Sequence, residues 1–218
     1  MGNDPAVVLL FGAFKPQVIF ALGKPGAVAT MLEEVDLEPT LYLHVRPEIV
    51  PVLQNRYRIV ELKQMWRMIL DPPRYRRATV EDAKRLGPAD VDSVVRLYED
   101  GDATGETPDF FFPSMLEEGV FFGIREGEDL VTVAGTHLVA PEEGVAAIGN
   151  IYTRRDRRGL GLGARVTSAV VSELLRLNVQ TVALNVNQQN ATATRLYERL
   201  GFVRYCAFCE GLAQRLDT

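Results

Sequence analysis

Apolar residues between positions 120 and 153 fall into three runs, 120–125, 130–139 and 145–153, separated by Gly127 and by the stretch 141–144 with its Pro141 and Gly144. Runs of this length bounded by turn residues predict strands, and three in succession predict an antiparallel meander. The period then changes. Val166, Ala169, Val170, Leu174 and Leu177 recur at helical spacing and predict a helix over 161–177. A strand over 181–186 follows, then a helix over 190–200 that Asn190 can cap and Gly201 can end, then a strand over 203–210. Such strand–helix–strand crossovers require parallel pairing beside the meander. The predicted architecture is α/β: a central mixed sheet with helices on both faces.

The clearest break is Asp71-Pro72-Pro73, because adjacent prolines end regular structure. Before it the pattern predicts a helix from Asp4 to Phe14, a strand over 18–22, a helix over 26–35 and a strand over 40–44. A helix opened by Pro47 over 47–56 and an extended stretch over 58–70, in two pieces, complete this part. After it, 75–79 reads as a strand, 90–98 as a helix and 107–118 as an irregular helical region holding Phe110, Phe111 and Phe112. The expected organisation is a small α/β unit over 1–72, marginal on its own, and a larger domain over 73–218.

Composition narrows the function. The chain has 24 basic and 29 acidic residues and a net charge of −5, so a general nucleic-acid partner is not expected. The apolar run 6–14 is too short to span a bilayer and lacks the flanks of a signal peptide, so no membrane partner is expected. Two cysteines, Cys206 and Cys209, do not make a disulfide framework, and a reducing cytoplasm is the default. They fall three apart in a predicted strand, on opposite faces, and the two histidines are distant in sequence, so no metal site is expected.

The strongest chemical signal lies at 151–164. A strand runs into a loop with Gly159, Gly161 and Gly163, then into the 161–177 helix, and Arg154, Arg155, Arg157 and Arg158 surround it. A helix N-terminus leaves N–H groups unpaired and positively polarised, and glycines let an anion approach them. A pyrophosphate suits these features; a tight turn with solvated arginines is the plainer alternative. No Lys-Ser/Thr follows the glycines as a P-loop needs, and the spacing does not fit the dinucleotide fingerprint. On the 190–200 helix, Ala193, Leu196, Tyr197 and Leu200 share one face, so Tyr197 points inward.

Together these segments resemble the GNAT superfamily of N-acetyltransferases. Arg158, Gly161 and Gly163 match its Arg/Gln-x-x-Gly-x-Gly/Ala pattern, and Asn190 with the run 196–202 matches its later motif; the likeness covers roughly 75–210. A degenerate first half before such a domain is similar to the glycine N-acyltransferase-like branch. The resemblance implies strands that splay beyond the meander, with the pantetheine arm of acetyl-CoA between them. It implies that Ile151, Tyr152 and Thr153 line that arm. Arg158, Gly159, Leu160, Gly161, Leu162, Gly163 and Ala164 would hold the pyrophosphate, and Asn190 would contact the cofactor or position the next helix. A homodimer is the family-level expectation.

The chemistry is then acetyl transfer from acetyl-CoA to the primary amine of a small molecule or amino acid, by direct attack in a ternary complex. A protein N-terminus or lysine is the alternative acceptor, and a catalytically silent acyl-CoA-binding module the alternative role. Tyr197, protonated at neutral pH, would donate to the departing thiolate, and a backbone N–H near Thr153 would polarise the thioester carbonyl. A nucleophilic Cys206 or Cys209 is the rival mechanism. The base is missing: where some relatives carry a glutamate, twelve positions before the tyrosine, this chain has Asn185. Water, a low-pKa amine, or a carboxylate among Glu106, Asp109, Glu142 and Glu143 is left for that role. Phe110, Phe111 and Phe112 read as core or as an acceptor wall, and Met65, Trp66 and Met68 as interface or core residues of the first part.

Overall fold

The computed structural model describes residues 5–12, 15–108 and 110–216. In chain order the elements are β1 (Ala6–Phe11), β2 (Gln17–Gly23), α1 (Pro25–Glu33), β3 (Thr40–Val45), α2 (Val50–Gln54) and β4 (Tyr57–Leu70). Then come β5 (Lys84–Leu86), α3 (Val91–Asp102), α4 (Met115–Glu118), β6 (Phe121–Glu126), β7 (Asp129–Ala140) and β8 (Val145–Thr153). The chain ends with α5 (Leu162–Arg176), β9 (Thr181–Asn187), α6 (Ala191–Leu200) and β10 (Phe202–Arg215). It divides into two compact units. One holds the described residues up to Arg67, 186–190 and those from Tyr205 onward; the other holds Met68–Asn185 and Ala191–Arg204. The division falls inside β4, β9 and β10 rather than at the paired prolines.

In the first unit β1 pairs antiparallel with β2, β2 parallel with β3, and β3 antiparallel with β10. Ile19, Leu41, Leu43, Ile49 and Tyr57 form its core with Cys209 and Ala213. The helix expected from Asp4 is instead strand β1 over Ala6–Phe11; Asp4 and Phe14 lie outside the described residues. A short apolar run does not distinguish helix from strand, and its alternating burial shows a period of two. Likewise β4 is one unbroken strand, not two pieces.

In the second unit β6, β7 and β8 form the antiparallel meander, β5 adds to its outer side, and β9 joins β8 in parallel. Strand β7 is buried without a break from Leu130 to Thr136, so both of its faces are covered. On one face Phe121, Val133 and Tyr152 pack with Val94, Leu97 and Tyr98 of α3 and Leu116 of α4. Helix α5 covers the other, burying Val166, Ala169, Val170 and Leu174. The expected strand at 75–79 is irregular chain, and Lys84–Leu86 is the strand instead. Its polar groups bond to side chains and a helix end rather than to a ladder: Tyr75 Oη lies 2.8 Å from Ser168 Oγ, and Arg76 N donates to Leu200 O at 3.2 Å. Region 107–118 condenses to the short α4. Phe111 packs edge-on against Tyr98 and Phe121, whereas Phe112 is 37% exposed.

Candidate active site

The site is built on the edge where β8 parts from β9. Their parallel ladder runs from Val145↔Thr181 to Ile148↔Leu184 and stops, although β8 continues to Thr153. On its other edge β8 remains paired with β7, and Arg154 N donates to Val131 O at 2.9 Å. Along a strand, successive backbone groups turn to opposite edges. The N–H and C=O of Ile151 and Thr153 therefore face the open edge, while those of Tyr152 and Arg154 serve β7.

Beyond Thr153 the chain makes the glycine turn. Gly159 and Gly161 have φ of 81° and 77°, a left-handed conformation that favours glycine. Gly161 is the N-cap of α5. The first helical bonds run from Ala164 and Arg165 to its carbonyl, so the N–H groups of Leu162 and Gly163 precede the ladder. A Cβ on Gly163 would lie 3.5 Å from Thr153 Oγ1 and 3.5 Å from Leu196 Cδ1, so the end of β8, the turn and α6 meet here. On α6 the neighbouring Tyr197 is 7% exposed, edge-on to Phe202, and no described residue hydrogen-bonds its hydroxyl. Burial pushes the phenol well above its usual pKa, so it holds its proton throughout the working pH range.

The four arginines differ from expectation, because each is already paired with carboxylates. Arg154 meets Asp156, Arg155 meets Asp100, Arg157 meets Glu126 and Asp156, and Arg158 meets Glu106. Arg158 Nη1 and Nη2 lie 2.8 and 3.2 Å from the Glu106 carboxylate, its Nε donates to Thr153 O at 3.2 Å, and its plane covers the Tyr152 ring. The Arg158 bond, helped by Thr104, holds the Glu106 carboxyl below its usual range. Asp100 accepts from Arg155 N and from Tyr152 Oη; the backbone bond is the main cause of its lowered pKa, and burial with Asp100 pushes the Tyr152 phenol up to about 12. Asp100, which sequence reasoning missed, thus anchors α3 to the turn. Glu106, weighed there as a base, is a partner of Arg158.

Asn190 belongs to the first unit, in the turn after β9, where its N–H donates to Asn187 O at 2.9 Å. Asp109 lies outside the described residues, and Glu142 and Glu143 are exposed in the β7–β8 turn. Cys209 is buried with its Sγ 3.6 Å from Gln64 Oε1, and burial raises its pKa, the opposite of what a nucleophile needs. Among the described residues no group of three or more His, Cys, Asp or Glu converges as metal ligands, and no helix is long and apolar enough to cross a membrane.

A sequence profile of the acetyltransferase (GNAT) family matches residues 91–202. The chain belongs to the GNAT family. It has the family's mixed open sheet. It is 37% identical over 89 residues to a mycothiol acetyltransferase of Geodermatophilus obscurus, a stretch covering 39% of this chain and 29% of that protein. It therefore spans about a third of the length of the curated relatives it matches. A GNAT-family acetyltransferase structure from Novosphingobium aromaticivorans aligns over 91% of this chain and 84% of its own, with TM-score 0.67 and 24% identity. A GCN5-related N-acetyltransferase from Kribbella flavida aligns over 98% of this chain and 88% of its own, with TM-score 0.64 and 19% identity. These two likenesses concern the fold.

Proposed function

We propose that this GNAT chain transfers the acetyl group of acetyl-CoA to the primary amine of a small molecule or amino acid, by direct attack in a ternary complex. The observation that carries the reading is the open edge of β8, which leads from the end of the β9 ladder to the free amides of α5. The pyrophosphate sits on the N–H groups of Leu162 and Gly163, with Arg158 and the 159–164 backbone around it. The pantetheine amides pair with Ile151 and Thr153 as an added strand would. An N–H on this edge polarises the thioester carbonyl, and Tyr197 protonates the departing thiolate. Relatives named for mycothiol, a small molecule, favour a small acceptor over a protein.

Thiol release from acetyl-CoA, measured over a panel of amines, tests this. Turnover with a small amine is expected, and Tyr197→Phe is expected to lower kcat by about a hundredfold while acetyl-CoA affinity is kept. Release only with peptide N-termini or lysines would move the acceptor to proteins. Binding without turnover, together with a neutral Tyr197→Phe, would make the chain a silent acyl-CoA-binding module.

A further inference from the structure

Two register shifts interrupt the β7–β8 ladder. Val133↔Tyr152 is followed by Gly135↔Gly149, and Thr136↔Ile148 by Leu138↔Ala147. The first leaves Asn150 as an extra residue on β8, with φ of 53°; the second leaves His137 as an extra residue on β7. The two bulges converge. The His137 imidazole occupies the space a side chain at Gly149 would fill: a Cβ there would stand 1.8 Å from Nε2. Gly149 is also the first residue past Ile148, where β9 leaves β8.

Beside it, Asn150 is 3% exposed. Its Nδ2 donates to Met115 Sδ at 3.4 Å and its backbone oxygen accepts from Tyr98 Oη at 2.9 Å, but its Oδ1 is buried with no partner among the described residues. A buried amide oxygen left unsatisfied is costly, and it marks a place where a donor is missing. His137 and Asn150 share a face. Gly149 pairs with Gly135, whose Cβ would strike the Phe121 ring, and Met115 packs against the same cluster as Phe121.

Resting on the acetyl-transfer reading above, we infer that His137 and Asn150 form the amine subsite, with His137 as general base and Asn150 Oδ1 as the acceptor that orients the nucleophile. An arm that starts at the amides of α5 and runs back along Thr153 and Ile151 delivers its acyl end at residues 149–150. There the imidazole takes one proton from the ammonium, and the freed lone pair forms the N–C bond to the thioester carbonyl. The tetrahedral adduct collapses with loss of the C–S bond, and Tyr197 protonates the thiolate. The second nitrogen proton returns to the Tyr197 phenolate, and His137 sheds its own to solvent. No described residue hydrogen-bonds the imidazole, and His137 is an exposed residue, so its protons pass directly to solvent. Desolvation lowers its pKa, with no contribution from a neighbouring charge, so it stands neutral at pH 7.

The test uses the full chain with a series of acceptor amines of graded pKa. In the wild type the acidic limb of kcat/KM is expected at one pH, below the usual histidine value, for every amine. A limb that follows each amine's own pKa would overturn the inference, because the amine would then be ionising without an enzyme base. His137→Gln is expected to lose about a hundredfold in kcat/KM and to lose that limb, with acetyl-CoA affinity unchanged. The deficit should shrink as the amine becomes more acidic. Asn150→Ala is expected to raise the amine KM about tenfold with little change in kcat. A His137→Gln enzyme within twofold of wild type and with the same profile would refute the base. Should that variant not fold, the wild-type series decides alone. Absence of turnover in the wild type with every amine would instead sink the acetyl-transfer reading.

Discussion

The arginine-rich turn and the β7–β8 bulge satisfy their polar groups in opposite ways. At the turn every arginine has a carboxylate partner, and what is left over is backbone N–H at the start of α5. At the bulge a buried amide oxygen and a neutral imidazole stand without partners among the described residues. Exposed ion pairs exchange at little cost, so Arg158 can leave Glu106 for a phosphate. An unsatisfied buried group cannot relax in that way and holds its position for one kind of ligand. A count of arginines overstates the turn, and a count of charges misses the bulge.

The contrast predicts that bulge variants strike turnover and turn variants strike cofactor affinity. The largest effect is expected from Gly149→Val, whose side chain must expel the His137 ring: kcat should fall about a hundredfold while acetyl-CoA binding by calorimetry is kept. A loss confined to acetyl-CoA affinity would break the comparison. Next, Gly161→Val puts a β-branched residue at φ 77°, and the strain should weaken acetyl-CoA binding by about tenfold with kcat near normal at saturation.

The smallest effect is expected from Glu106→Gln. It frees Arg158, so the acetyl-CoA KM should fall about two- to threefold, a shift that would be absent if Arg158 never leaves the carboxylate. The same variant should cost no more than about 1 kcal/mol of stability at pH 7, since both side chains are 42% exposed. Glu106 has a folded pKa below its unfolded value, so the pair stabilises above about pH 4.5 and the benefit disappears as pH falls through the lower, folded value. Denaturant melts of the two proteins at pH 7 and pH 3.5 check the sign.

Much of the second unit could be read from the chain. The meander, α5 with its glycine turn and α6 with Tyr197 all announce themselves through local periodicity and caps. The rest depended on pairing. Residues 6–11 carry an apolar run that suits either element until β2 lies beside it, and 75–79 looks like a strand but bonds to Ser168 and Leu200 instead. The bulges are hidden for the same reason, since a register shift belongs to two strands at once. One clue was present: Gly149-Asn150 inside a β pattern sets a residue without a side chain beside one that tolerates positive φ.

The placement of β10 bears on how the chain matures. Residues 209–214 pair with 45–40 of β3, so the first unit gains its closing strand from a segment made only after β5 to β9 of the second unit. Until that segment emerges, one side of β3 stays bare. A truncation before residue 209 would therefore do its damage far upstream, at β3.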